Sequence, residues 1–189
     1  WWAPVPITHR SPYCGRNFEY YSEDPFLGGT IGAQDIAGAQ AKGMRAFCKH
    51  FAANDQELHR HGLSTFANEQ ALRQIYLKQF QYVVQRGGTL SLMESFNRIG
   101  CKWAGGDYAL CTELLRGEWG FKGSVLTDFN FFADDSWMNI RSGLAGGTDQ
   151  WLALGTSNLL NFAKQDIALA AEVRQASHRV FMQLRRLQV

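Results

Sequence analysis

Phe121-Lys122-Gly123-Ser124-Val125-Leu126-Thr127-Asp128 is a short apolar run that opens on a glycine turn and ends on an acid, and the architecture follows from it. Val125 and Leu126 suit a fully buried strand, and the run is too short and too tightly bounded by Gly123 for a helix. A buried parallel strand that ends in a carboxylate is how a (β/α) barrel presents reactive groups at its C-terminal face. Taken alone, Asp128 reads more readily as a solvated loop acid than as a catalyst, and the neighbouring segments decide.

Working outward, strand-like runs recur at Trp1 to Val5, Met44 to Phe51, Thr89 to Met93 and Ser124 to Thr127, with amphipathic stretches between them, as in repeated βα units. Helices are predicted over Thr30 to Lys42, Asn68 to Gln85, Tyr108 to Glu118, Ser136 to Leu144 and Asp166 to Leu187, the last capped by Asp166. Thr8 to Gly29 reads as one long polar loop, the kind that carries function at strand C-termini. Gly146 to Leu152 leads into a short fifth strand. The 189 residues suit one α/β domain, a partial (β/α)8 TIM-type barrel lacking its first strands, and the start on Trp1-Trp2-Ala3-Pro4 suggests an internal piece of a longer protein.

The 19 basic and 17 acidic residues are scattered without a basic run, so no nucleic acid partner is expected, and no apolar stretch reaches the roughly 18 residues of a membrane span. Neither a membrane partner nor an export signal is legible. Cys14, Cys48, Cys101 and Cys111 show no CxxC pair and read as free thiols. No metal-ligand cluster or phosphate-cradling glycine loop is evident, and no cofactor is expected.

Several ordered segments resemble glycoside hydrolase family 3, the β-glucosidases and their relatives. They are Ala3-Pro4, Gly15-Arg16-Asn17-Phe18-Glu19-Tyr20-Tyr21-Ser22-Glu23-Asp24-Pro25, Lys49-His50-Phe51-Ala52-Ala53-Asn54, Leu72-Arg73-Gln74-Ile75-Tyr76-Leu77, Glu118-Trp119-Gly120-Phe121-Lys122-Gly123, Thr127-Asp128 and Ala145-Gly146-Gly147-Thr148-Asp149. The resemblance implies that residues 1–189 are the C-terminal portion of the family's (β/α) barrel domain, acting on a β-linked oligosaccharide or glycoside. It implies Asp128 as nucleophile of a retaining hydrolase, kept ionised by neighbouring cations. Arg16, Lys49 and His50 would grip sugar hydroxyls, and Phe129 would offer an apolar wall. Met93 reads equally as such a wall or as core. Asn54 would help shape the site, and Asp149 would support a strand end.

The chain departs from the family pattern at three places. Phe96, in Ser95-Phe96-Asn97, stands where relatives have Tyr, whose hydroxyl can bond the nucleophile. Gln70 and Gln74 replace an Arg and a Glu, and Phe129-Asn130 replaces Trp-Gly. The resemblance also assigns the acid/base to a missing second α/β domain. His59 and His61 read as loop residues, not as the His-Asp dyad that one branch uses instead. The alternative to an enzyme is a degenerate non-catalytic sugar-binding module.

Overall fold

The computed structural model describes residues 1–130, 137–152 and 163–186. Its strands are β1 (Cys48–Phe51), β2 (Ser64–Thr65), β3 (Ser91–Glu94), β4 (Arg98–Ile99), β5 (Lys102–Trp103), β6 (Ser124–Phe129) and β7 (Gln150–Leu152). β1-β3-β6-β7 form one all-parallel sheet in chain order, the wall of a (β/α) barrel segment. The main helices are α1 (Pro25–Gln40), α2 (Lys78–Gln85), which continues from the Asn68-capped helical turns Glu69–Ala71 and Leu72–Tyr76, a π-type helix Ala109–Glu118, α3 (Ile140–Gly146) and α4 (Ile167–Arg186). Among the described residues no helix is long and apolar enough to cross a membrane.

Side chains alternate across β6, and the alternation sets the site. Val125 joins Leu92, Phe51 and Leu115 in the core beneath the helices, while Leu126 packs with Phe47, Met93 and Leu152 on the opposite face. Asp128 lies two residues after Leu126 and so emerges from that same concave face, at the strand's C-terminal end. At the other end, Arg45 donates to Ser91 Oγ (3.0 Å), Ser124 Oγ (2.7 Å) and Gln150 Oε1 (2.9 Å). The fully buried Gln183 of α4 joins them through Ser124 Oγ and Ser91 Oγ, so a polar layer closes the N-terminal ends of the strands.

Some expectations change. Trp1 to Val5 forms no strand, although Phe47 N–H donates to Trp1 O (2.7 Å) and Lys49 N–H to Pro4 O (3.1 Å); Pro4 and Pro6 have no N–H with which to extend the ladder. Helix α1 begins at Pro25 rather than Thr30, because Asp24 caps it by accepting from Phe26 N–H (2.8 Å). Gly28 and Gly29 are therefore helical: a Cβ on Gly29 would stand 2.9 Å from Gln79 Cα, so glycine there lets two helices touch. The small β2-β4-β5 sheet was not legible, since its strands are two residues each. Of the helix predicted over Ser136 to Leu144, residue 136 lies outside the described residues and the helix starts at Ile140, capped by Asn139. Leu187, the predicted end of the last helix, also lies outside them. The four cysteines are free, and all but Cys101 are buried.

Candidate active site

Asp128 opens into a pocket of about 330 Å³ at the C-terminal end of the sheet. Arg16, Lys49, His50, Phe96 and Phe129, singled out in the sequence, line it together with Asp128. Arg16 comes from the loop before α1 and Phe96 from just beyond β3. Lys49 and His50 are consecutive, yet both reach the pocket, because the β1 register shifts between Cys48 and Phe51. Met93 does not line it. Its side chain is buried against Phe47 and Leu126.

Both carboxylate oxygens of Asp128 have a neighbouring donor. Oδ1 accepts from Phe129 N–H at 2.7 Å, and Oδ2 lies 3.3 Å from His50 Nε2. Burial and the charges of Arg16, Lys49 and Arg60 drive the His50 pKa well below its usual value. The ring is therefore neutral at neutral pH, and its buried Nδ1 has no hydrogen-bond partner. The Asp128 pKa moves against expectation. Burial raises it, and the Phe129 N–H together with Arg60, Arg16 and Lys49 offsets only part of that rise.

Arg60, His61 and Trp137 also line the pocket, and the sequence reading assigned none of them to it. Trp137 stacks on His61 (centroids 4.1 Å apart) and packs at 5.1 Å against Phe96, whose carbonyl accepts from Trp137 Nε1 (3.0 Å). Arg60 sits over the other part of this group, 4.2 Å from the Phe96 ring. Glu57 orients two cations at once: Arg60 Nη1 donates to it at 2.6 Å, and Arg16 Nη1 stands 3.7 Å away. Arg16 also bonds Glu19, so the loop ion pair and the pocket position are both occupied by one side chain. His59 lies outside this pocket. No periodicity marks residues 59–61, and Trp137 lies beyond the end of β6, so only proximity in space could have found them.

Asn54 is fully buried behind the site. Its Nδ2 donates to Glu57 (3.0 Å) and its carbonyl accepts from Tyr20 Oη (2.9 Å), which shapes the loop that presents Arg16. Asp149 supports a strand, as expected: Oδ2 accepts from Val125 N–H and Arg116 (both 2.8 Å), and Oδ1 from Arg179 (2.6 Å). Gln70 and Gln74 bond each other at 3.3 Å on the surface, a neutral pair at helical spacing. Among the described residues no group of three His, Cys, Asp or Glu side chains could hold a metal. Asp128 is the one carboxylate lining the pocket among those residues.

The family model described as glycosyl hydrolase family 3 N terminal domain matches residues 1–180. A β-glucosidase of Ruminococcus albus is 43% identical over 138 residues, 73% of this chain and 14% of that protein. A β-glucosidase of Rhizobium radiobacter is 35% identical over 98% of this chain and 22% of its own length. The solved structure of β-glucosidase 3B from Thermotoga neapolitana in complex with glucose superposes with a TM-score of 0.88 at 34% identity, covering 97% of this chain and 26% of that one. The chain thus spans about a quarter or less of the length of these relatives.

Proposed function

The chain belongs to glycoside hydrolase family 3, and on that premise we propose that it is the C-terminal portion, residues 1–189, of the barrel domain of a retaining β-glycosidase acting on terminal β-linked glucosides. Asp128 is the nucleophile. One of its oxygens attacks the anomeric carbon, the glycosidic bond breaks, and the leaving oxygen takes a proton from a separate acid. Water, deprotonated by the same group, then cleaves the glycosyl ester and restores the carboxylate. Arg16, Lys49, Arg60 and the His50 imidazole donate to sugar hydroxyls, and Phe96, Phe129 and Trp137 supply apolar faces to the C–H side of the ring.

The observation that carries this reading is the placement of Asp128: it ends a parallel strand, its two oxygens are oriented by Phe129 N–H and His50 Nε2, and cationic side chains surround it. A retaining mechanism needs a second carboxyl group roughly 5 Å from the first. In this proposal the acid/base comes from a second α/β domain of the longer protein, as the family resemblance implies. An aryl β-glucoside tests the proposal. The longer protein that contains residues 1–189 turns it over, Asp128→Asn abolishes turnover, and residues 1–189 alone show none; turnover by the Asn variant or by the chain alone overturns it.

Phe96 favours a second reading. Its ring lines the pocket with no hydroxyl to offer Asp128, as in a sugar-binding module that has lost catalysis. That reading requires glucose affinity without turnover in the longer protein.

A further inference from the structure

The end of the sheet opposite Asp128 has its own cavity, of about 300 Å³, between the turn before β6 and helix α4. Lys122 precedes β6 and Asp128 nearly ends it, so roughly 20 Å of strand separates this cavity from the sugar pocket. Arg116, Lys122, Arg179 and Arg186 line it. Arg116 and Arg179 share a single acid, Asp149, and no ion pair engages Lys122 or Arg186 among the described residues. Four cations facing one carboxylate leave three formal positive charges around a small concave volume. Phe121 and Met182 form its apolar floor, and His178 stands at its edge.

Exposed basic residues on a helix are ordinarily solvated, and two features set this group apart. The cations converge on a cavity of the size that holds one small molecule, not along a groove that could track a polymer. In addition, Arg116 is held in place by its own hydrogen bonds, both Nη atoms donating, to Gly123 O, Gly147 O and Asp149. Unneutralised positive charge held around a small concave volume fits an anion with several acceptor oxygens.

We infer that this cavity binds a phosphate group, either inorganic phosphate or the monoester of a small organic molecule. Lys122 and Arg186 supply charge, and Arg179 supplies the guanidinium nitrogens that Asp149 leaves free. Phe121 and Met182 are suited to cover the organic part of an ester. The site is independent of the sugar chemistry proposed for Asp128.

The test is calorimetric titration of the longer protein that contains residues 1–189 with inorganic phosphate and with phenyl phosphate at fixed ionic strength, repeated on the Lys122→Ala/Arg186→Ala double variant. Both substitutions are of exposed residues and spare Arg116 and Arg179, and near-UV circular dichroism checks that the fold is kept. Lys122→Glu serves as a second variant. The expected result is saturable binding at millimolar concentration or below, weakened at least tenfold in both variants. Phenyl phosphate binding tenfold tighter than phosphate identifies an ester as the ligand, and equal affinities identify free phosphate. No saturable binding of either probe, or binding that the folded variants retain in full, overturns the inference.

Discussion

Glu94→Gln isolates a buried proton. Glu94 ends β3, is fully buried, and Oε2 has no hydrogen-bond partner. Packing is so close that a Cβ on Gly105 would stand 2.0 Å from that oxygen, which leaves no room for water. Thr148 Oγ1 lies 2.5 Å from Glu94 Oε1 and 2.9 Å from Gly105 O. A hydroxyl carries one proton. If it goes to the carbonyl, which can only accept, the carboxyl must donate to Thr148 and therefore be protonated. Cys111 is placed alike, its thiol 3.3 Å from Ala104 O and 4.0 Å from Glu94 Oε1. Burial pushes the Glu94 pKa from 4.5 up to about 8, with Thr148 and Arg116 opposing and the Asp149 charge adding to the rise.

A folded-state pKa above the unfolded one means that the native state binds more protons, so stability falls as pH rises from about 4.5 to about 8 and levels off above. At about 1.4 kcal/mol per unit, that rise corresponds to a loss on the order of 3 to 5 kcal/mol between pH 4.5 and 9. Gln keeps the shape and a donor for Thr148 while removing the ionisation. Urea denaturation of the chain and of Glu94→Gln from pH 5 to 9 should give stabilities within about 1 kcal/mol at pH 5, the variant gaining steadily until about pH 8. A difference that does not change with pH refutes the reasoning.

Further outcomes follow from the sugar pocket and the strand ends. In the longer protein, Phe96→Tyr should raise kcat/KM by about ten- to a hundredfold, since a hydrogen bond to a charged group contributes roughly 1.5 to 3 kcal/mol; no change shows that the position does not reach the nucleophile. Because burial lifts the Asp128 pKa above its usual 3.8, the acid limb of the kcat/KM profile should lie above that value, activity being lost as the carboxylate is protonated; a limb at or below it contradicts the electrostatics. Asp149→Asn leaves Arg116 and Arg179 without their common acid and takes away the carboxylate acceptor of Val125 N–H, so denaturant midpoints should report a loss of about 3 to 5 kcal/mol.

The parallel strands were readable because each buried run is continuous and ends at a glycine or a polar turn, as Gly123 and Asp128 bound β6. Residues 25–29 misled because Gly28 and Gly29 carry the signature of a loop while serving as a contact surface between helices, a role that only packing reveals. In the site, Asp128, Arg16, Lys49 and His50 stand in segments that resemble a family. Arg60, His61 and Trp137 do not, and they reach the pocket through a salt bridge to Glu57 and through ring stacking that join loops far apart in sequence. The upward shift at Asp128 was hidden for a similar reason: its cations are visible as letters, while the desolvation that outweighs them exists only in the fold.

The central claim is that Asp128 is the nucleophile, and a 2-deoxy-2-fluoro-β-glucoside with a good leaving group tests it most directly by trapping the glycosyl ester. After incubation with the longer protein, peptide mass spectrometry should find the fluoroglucosyl adduct on the peptide that contains Asp128. An adduct on another carboxylate, or active protein with no adduct at all, contradicts the account.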